Sequence, residues 1–302
     1  MMNPDKIVAT RPWQKEWFWW MALSAALTAI YFTLVWFADD TGQLSMSMLF
    51  YFCVFSLLKE KASALTFRRD WPSYVVAIVL VAWVLLNSST QTGDYTIRLF
   101  PFVSGIAIAL FVSGWQNIRQ YWRELTIFFF LGIPSFLAYH LIDISPLTAK
   151  FSTLMLWYAG FDIANQGTFM ALADGRVVQV VYECSGIDMV NYLLGMAILC
   201  LFMFPIPGAF KNTFVPILGG LIGFLVNGFR VSLMVVLAKF DQNAFDNWHT
   251  GTGSYTFALL GVVMLGAVYW LLINQKESTV NELDYSFYQD LDSTLSQGEF
   301  EE

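Results

Sequence analysis

Eight stretches of this chain are long and apolar enough, or nearly so, to be transmembrane helices: residues 18–37, 44–58, 74–86, 99–115, 125–142, 184–204, 214–237 and 254–273. A bilayer's hydrocarbon core is about 30 Å thick and takes about 20 mostly apolar residues of helix. Helices are therefore expected. The second and third are short and are predicted to cross with little tilt. Composition agrees: 57% of the residues are hydrophobic and 13% charged, where a soluble domain carries about 25% charged. The expected class is an all-α polytopic membrane protein, a single integral-membrane domain over residues 1–273. The first stretch is long, tryptophan-rich and lacks a small-residue cleavage pattern, so it is expected to stay as a span and not to be removed as a signal peptide.

The net charge of −7 is unevenly placed. Residues 1–273 hold 15 basic and 15 acidic side chains, while residues 274–302 hold Lys276 against eight acids. The tail reads as acidic and disordered, and the neutral body offers no clustered basic face for nucleic acid. Three cysteines exclude a disulfide scaffold. Alternate spanning divides the connections into two sets. One set, with both termini, holds eleven basic residues (Lys6, Arg11, Lys15, Lys59, Lys61, Arg68, Arg69, Arg119, Arg123, Lys211 and Lys276). The other holds three, Lys150, Arg176 and Lys239, and Arg98 and Arg230 fall at or within spans. Basic residues mark the cytoplasmic side, so both termini are expected inside and the loops 143–183 and 238–253 outside.

The long outer loop has internal order. From Pro146 to Gly160 apolar residues recur at helical spacing, which predicts an amphipathic helix lying in the interface or a short re-entrant one. Beyond it, two β-prone runs flank Asp174-Gly175, a signal for a small β-hairpin before the sixth span. That hairpin would deliver the chain to Glu183-Cys184.

Polar groups inside spans are costly and so mark candidate function. At 100° per residue Cys184, Asp188, Asn191 and Gly195 share one face of the sixth helix. A helix N-terminus lowers a thiol's pKa, so Cys184 is either an activated nucleophile or a small buried hydrophobe; Cys53 and Cys200 read as the latter. In the seventh span Gly223, Asn227 and Arg230 form a stripe whose small members let a neighbouring helix approach. Arg230 sits about 10 Å below the outer surface at 1.5 Å per residue, a position from which it either snorkels to the headgroups or faces the bundle interior. His249, just before the eighth span, could act as general acid or base beside a thiol. His140, at the end of the fifth, reads as an ordinary interfacial residue.

Together these place a thiol, a guanidinium and an imidazole at one level of the membrane. Cysteine with histidine makes an activated nucleophile, and a fixed cation stabilises a developing oxyanion. The chemistry they suit is acyl transfer at a peptide carbonyl. No metal or other cofactor is expected, since the two histidines are far apart and no Cys-x-x-Cys or His-Glu-x-x-His occurs. Two other classes compete: a small-solute transporter lined by Asp188, Asn191, Asn227 and Arg230, and a non-catalytic component of exopolysaccharide export. A through-path would need polar residues continuing inward, and 198–204 and 214–218 offer almost none besides Cys200.

Glu183-Cys184-Ser185-Gly186-Ile187, then Asn227-Gly228-Phe229-Arg230-Val231, then His249 in a glycine-containing segment, resembles the exosortase/archaeosortase family. The similarity covers about residues 130–273, the expected catalytic part; the tryptophan- and acid-bearing N-terminal half looks most like the cyanobacterial branch. The resemblance implies a cysteine peptidase or transpeptidase of the bacterial inner membrane that acts at the periplasmic face. It implies exported substrates with a C-terminal motif such as Pro-Glu-Pro, a transmembrane helix and a basic cluster. Carried over, Cys184 is the nucleophile, Arg230 the transition-state stabiliser or carboxylate partner, and His249 the general acid/base. The family pattern is departed from at Asp188, whose charge either raises the thiol's pKa or pairs with Arg230; Asn191 and Asn227 are expected to support the site. The oligomeric state is open.

Overall fold

The computed structural model describes residues 16–68, 70–89, 94–249, 253 and 255–274. The acidic tail beyond Asn274, expected to be disordered, and residues 250–252 of the outer loop lie outside the described residues. Eleven α-helices occur among those described: α1 Glu16–Phe37, α2 Thr41–Glu60, α3 Trp71–Ser89, α4 Asp94–Ile97, α5 Phe100–Asn117, α6 Trp122–Leu141, α7 Ser145–Tyr158, α8 Ile187–Met203, α9 Ala209–Phe240, α10 Gln242–His249 and α11 Tyr255–Asn274. A three-stranded antiparallel sheet, β1 Ile163–Gln166, β2 Phe169–Leu172 and β3 Val177–Gln179, separates α7 from α8.

Six segments are long and apolar enough to cross a membrane, among them Tyr95–Leu141, whose 47 residues contain both α5 and α6. The helix α8, at 17 residues, is shorter than these. Large apolar side chains stand exposed along the helices, Trp36 in α1, Phe52 in α2, Leu86 in α3 and Val263 in α11 among them. A surface of that kind is sustained by lipid and not by water, and the chain is a multi-pass membrane protein. The second and third spans are not short: α2 runs 20 residues and α3 19. Polar helix ends account for the difference. Asp40 caps α2 by accepting the Gln43 N–H at 2.9 Å, and α3 opens on Trp71-Pro72, where proline costs no helical hydrogen bond.

The chain forms two compact units, the first ending at Ile144 and taking in Ile198–Met203, the second made of Ser145–Ala197 and the residues from Phe204 onward. The first has a core of Leu27, Tyr31, Val35, Val84, Ile97 and Phe100. Several of its buried polar groups pair with one another, as membrane interiors favour. Gln43 Nε2 donates to Tyr31 Oη at 2.9 Å, and the Tyr31 and Ser47 hydroxyls meet at 2.6 Å. Arg98 is buried and bridges to Asp40 at 2.9 Å, and Lys61 bridges to the buried Glu124 at 2.7 Å. Gly114, at φ 70°, breaks α5 one turn before its end, and the Trp115 N–H released there donates to Ser73 Oγ.

In the second unit α7 begins at the expected Ser145-Pro146 and is closed by Gly160 at φ 89°, with the Phe161 N–H reaching back to the Leu156 carbonyl. Its burial inverts the usual amphipathic order. Ser145, Thr148, Ser152 and Thr153 lie inward with Ala149 and Leu156, while Leu147, Leu154 and Trp157 face out. Small hydroxyl-bearing faces allow close helix packing within a membrane, and large apolar residues suit lipid. The hairpin around Asp174-Gly175 is present as β2 and β3, in register Met170 against Val178. A first strand, β1, pairs with β2 through the Gly167 turn and was not expected. Met170, Leu172 and Val180 pack with Ala149 and Leu156 of α7 and with Val231 and Val235 of α9 in one core cluster.

Candidate active site

Cys184 does not lie on the helix whose face was expected to carry it. β3 continues through Val180 into a 3₁₀ turn, Tyr182–Cys184, closed by the Cys184 N–H on the Val181 carbonyl and the Ser185 N–H on that of Tyr182. Gly186, at φ 89°, then redirects the chain, and α8 starts only at Ile187. The shared face of Cys184 with Asp188 and Asn191 therefore does not exist, because a reversal in the backbone interrupts the helical count.

Two side chains from other helices hold the turn by its carbonyls. Asn227 Nδ2, from α9, donates to the Cys184 oxygen at 3.0 Å, and Thr148 Oγ1, from α7, donates to the Ser185 oxygen at 2.6 Å. Asn227 is buried and lies where a side chain on Gly186 would project: a Cβ there would sit 2.4 Å from Asn227 Nδ2. α9 is in turn fixed on both sides. Ser152 of α7 and Ser232 both donate to the Gly228 oxygen, at 3.0 and 2.9 Å. Gly219 and Gly223 press on the backbone of α8, where a Cβ would come 2.7 Å from the oxygens of Leu193 and Met189. That stripe is the close-approach face expected of the seventh span, with α8 as the neighbour.

The segment expected to be a loop before His249 is the helix α10, started by Asp241, whose Oδ1 accepts the Ala244 N–H at 3.0 Å. His249 is its last residue. Its ring stacks on Phe245, 5.1 Å between centroids and 14° apart in plane, and its Nε2 stands 3.7 Å from Cys184 Sγ. Arg230 Nη2 donates to the His249 oxygen at 3.2 Å. Its buried Nε has no hydrogen-bond partner among the described residues. The thiol, imidazole and guanidinium thus converge from the turn before α8, from α10 and from α9.

Burial pushes the Cys184 thiol above its ordinary pKa; Arg230 pulls it down and Glu183 adds to the rise. Burial also lowers the pKa of His249, and the Arg230 charge lowers it further against Asp246. Both shifts favour the uncharged forms, thiol and imidazole. The expected depression of the thiol by the helix N-terminus is not found: α8 begins three residues later, and burial is the largest influence on the thiol.

The other candidates are placed as follows. Asp188 is half-exposed on the first turn of α8, and the charges that shift the thiol are those of Arg230 and Glu183. Asn191 is buried one turn on. His140 belongs to the first unit, its Nδ1 hydrogen-bonded to the Phe136 carbonyl of its own helix. Cys53 and Cys200 stand within α2 and α8. Thr148 and Gly186 were missed. Their signals were a Ser145/Thr148/Ser152 hydroxyl stripe at helical spacing and a glycine immediately before a helix start.

A family model described as transmembrane exosortase matches residues 36–266, well over half of the chain. No curated protein and no solved structure matches it.

Proposed function

The chain belongs to the transmembrane exosortase family, and from that premise we propose that it is a cysteine peptidase or transpeptidase that cleaves C-terminal sorting signals of exported proteins at the outer face of the bacterial inner membrane. The observation that carries the reading is the 3.7 Å approach of Cys184 Sγ to His249 Nε2, with Arg230 bound to the same histidine's carbonyl. His249 Nε2 takes the thiol proton as Sγ attacks the scissile carbonyl. The oxygen then carries the negative charge beside the Arg230 guanidinium, whose Nε, without a hydrogen-bond partner among the described residues, is a donor for it. Collapse of the tetrahedral species breaks the C–N bond, His249 gives its proton to the departing amine, and the acyl group remains on sulfur as a thioester. Water or an amine then releases it. Asn227 and Thr148 keep the Cys184 turn in place throughout, and Asp188 and Asn191 are the less direct supports.

The proposed topology has eight passes, with α5 and α6 crossing separately and α8 as a short span. Both termini are cytoplasmic, and the sheet, α7 and α10 lie on the periplasmic side. The basic residues favour this orientation eleven to three. The substrate is an exported protein ending in a short motif, a transmembrane helix and a basic cluster.

The test uses a tagged reporter of that design, with Pro-Glu-Pro as the motif, co-expressed with the full chain. Cys184→Ala and Cys184→Ser abolish its shortening while the abundance of the variant stays at the wild-type level. A reporter of processed length in the Cys184→Ala strain refutes the reading.

A further inference from the structure

The sheet leads straight into the candidate nucleophile, and among the described residues no strand pairs with the outer edge of β3. Two hydrogen bonds set the alternation along β3: the Leu172 N–H donates to the Arg176 oxygen and the Val180 N–H to the Thr168 oxygen, each at 2.9 Å. In an antiparallel pair, hydrogen-bonded and non-hydrogen-bonded residues alternate. Arg176, Val178 and Val180 therefore spend their backbone groups on β2. Val177 and Gln179, opposite Ala171 and Phe169 in the register, turn theirs away from it.

The far edge of the sheet is different, since α7 packs along β1 and β2. On the β3 side Val177 and Val181 are 59% and 43% exposed and Gln179 is exposed. Protected edges carry a lysine, a proline or a bulge; this one carries Val177, Gln179 and Val181. Four residues, Val180–Glu183, separate β3 from Cys184, and the chain folds back over them in a single turn. A strand paired to this edge therefore lies only a few residues of chain from the turn that carries the sulfur.

A peptide attacked by Cys184 must be extended at the reacting bond, because a helical carbonyl is already hydrogen-bonded and hidden by the next turn. We propose that the substrate's recognition segment binds as a fourth strand on the free edge of β3, hydrogen-bonded to the backbone of Val177 and Gln179, which sets the scissile carbonyl at Cys184. This rests on the peptidase reading and adds to it how the substrate is held. Main-chain pairing supplies affinity, and the pockets under alternate side chains supply the selection.

The test is Gln179→Pro against Gln179→Ala in the full chain, with the same tagged reporter. Proline removes an N–H that β2 does not use, and prolines are tolerated on such edges. Alanine keeps the N–H and loses only the side chain. Losing one or two backbone hydrogen bonds should cut the initial processing rate about five- to tenfold in Gln179→Pro, and Gln179→Ala, which keeps that N–H, should lose less. Alkylation of Cys184 by iodoacetamide reports on the turn and is expected unchanged in both.

A proline scan through the reporter's residues before the cleavage point gives a second measurement that needs no change to the protein. Sensitivity should alternate with a period of two, since only alternate N–H groups of a bound strand face β3. Equal processing by Gln179→Pro and wild type, or a scan without alternation, overturns the strand pairing and leaves the peptidase reading standing. No processing by the wild-type chain overturns that reading and this inference with it.

Discussion

Gly186→Ala is the sharpest perturbation available at the site. The residue sits at φ 89°, where an L-residue with a Cβ pays about 1–2 kcal/mol. The new methyl would also lie 2.4, 2.5 and 2.7 Å from Asn227 Nδ2, Cγ and Cβ, and the third of these cannot swing aside without moving α9. Asn227 must give way, and its bond to the Cys184 carbonyl goes with it. An orphaned buried polar group costs about 1–3 kcal/mol, so the total is about 2–5 kcal/mol, spent within the turn that carries the sulfur. The helices on either side keep their own packing, so the expected result is a chain of near-normal abundance in which Cys184 is displaced from His249. Reporter processing falls at least about a hundredfold, the equivalent of about 2.7 kcal/mol. Asn227→Ala alone loses the hydrogen bond but no space, and costs about tenfold. The double variant removes two of the three close contacts and processes faster than Gly186→Ala, a non-additivity that only residues in contact produce. Wild-type processing by Gly186→Ala, or strictly additive losses, would refute the argument.

Three further outcomes are expected. Because the Cys184 thiol is raised and His249 lowered, the iodoacetamide alkylation rate should climb only in the alkaline range, with no plateau between about pH 5 and 7, the range a thiolate–imidazolium pair would occupy. Arg230→Gln removes the cation that lowers both groups, so the thiol's rise shifts to still higher pH and the imidazole's titration moves up toward its ordinary value; a wild-type profile in that variant would sink the assignment. In the first unit, Lys61→Met strands Glu124, whose side chain is 4% exposed, and should cost about 3 kcal/mol of stability, read as a drop in thermal midpoint in detergent. Adding Glu124→Gln should recover most of it, and equal midpoints for all three proteins would show the pair to be inert.

The helices were legible because their signal is summed over about 20 residues each, and a few misjudged ends leave the pattern intact. Where single polar residues decided a boundary, the sequence was harder to read. Gln43 looks like a reason to start α2 late until Tyr31 is seen to accept its amide hydrogen. Cys184, Arg230 and His249 could be picked out because each is an expensive residue at the same depth of an apolar chain. What holds them was largely hidden: Gly186 matters through a backbone angle, Thr148 through a carbonyl 37 residues away in sequence, and β1 through a turn at Gly167 with few β-formers around it. The error on the thiol's pKa had the same root. A helix count that ran through Gly186 put Cys184 at a helix N-terminus, when it stands in a separate turn under its own desolvation.

The preference of both groups for their neutral forms bears on how the proposed chemistry is controlled. Transferring a proton from Cys184 to His249 in the empty site creates two charges where burial disfavours both, and the imidazolium would face Arg230, a like charge. With a peptide carbonyl at the sulfur the balance changes. The negative charge moves on to the carbonyl oxygen and into reach of the same guanidinium, so Arg230 opposes the ion pair in the empty site and stabilises the product of attack. The nucleophile is then formed chiefly when there is something to attack. On this account Arg230→Gln should weaken processing far more than it weakens alkylation, since iodoacetamide develops no oxyanion for the cation to hold; equal losses in the two assays would mean that Arg230 acts on the thiol alone.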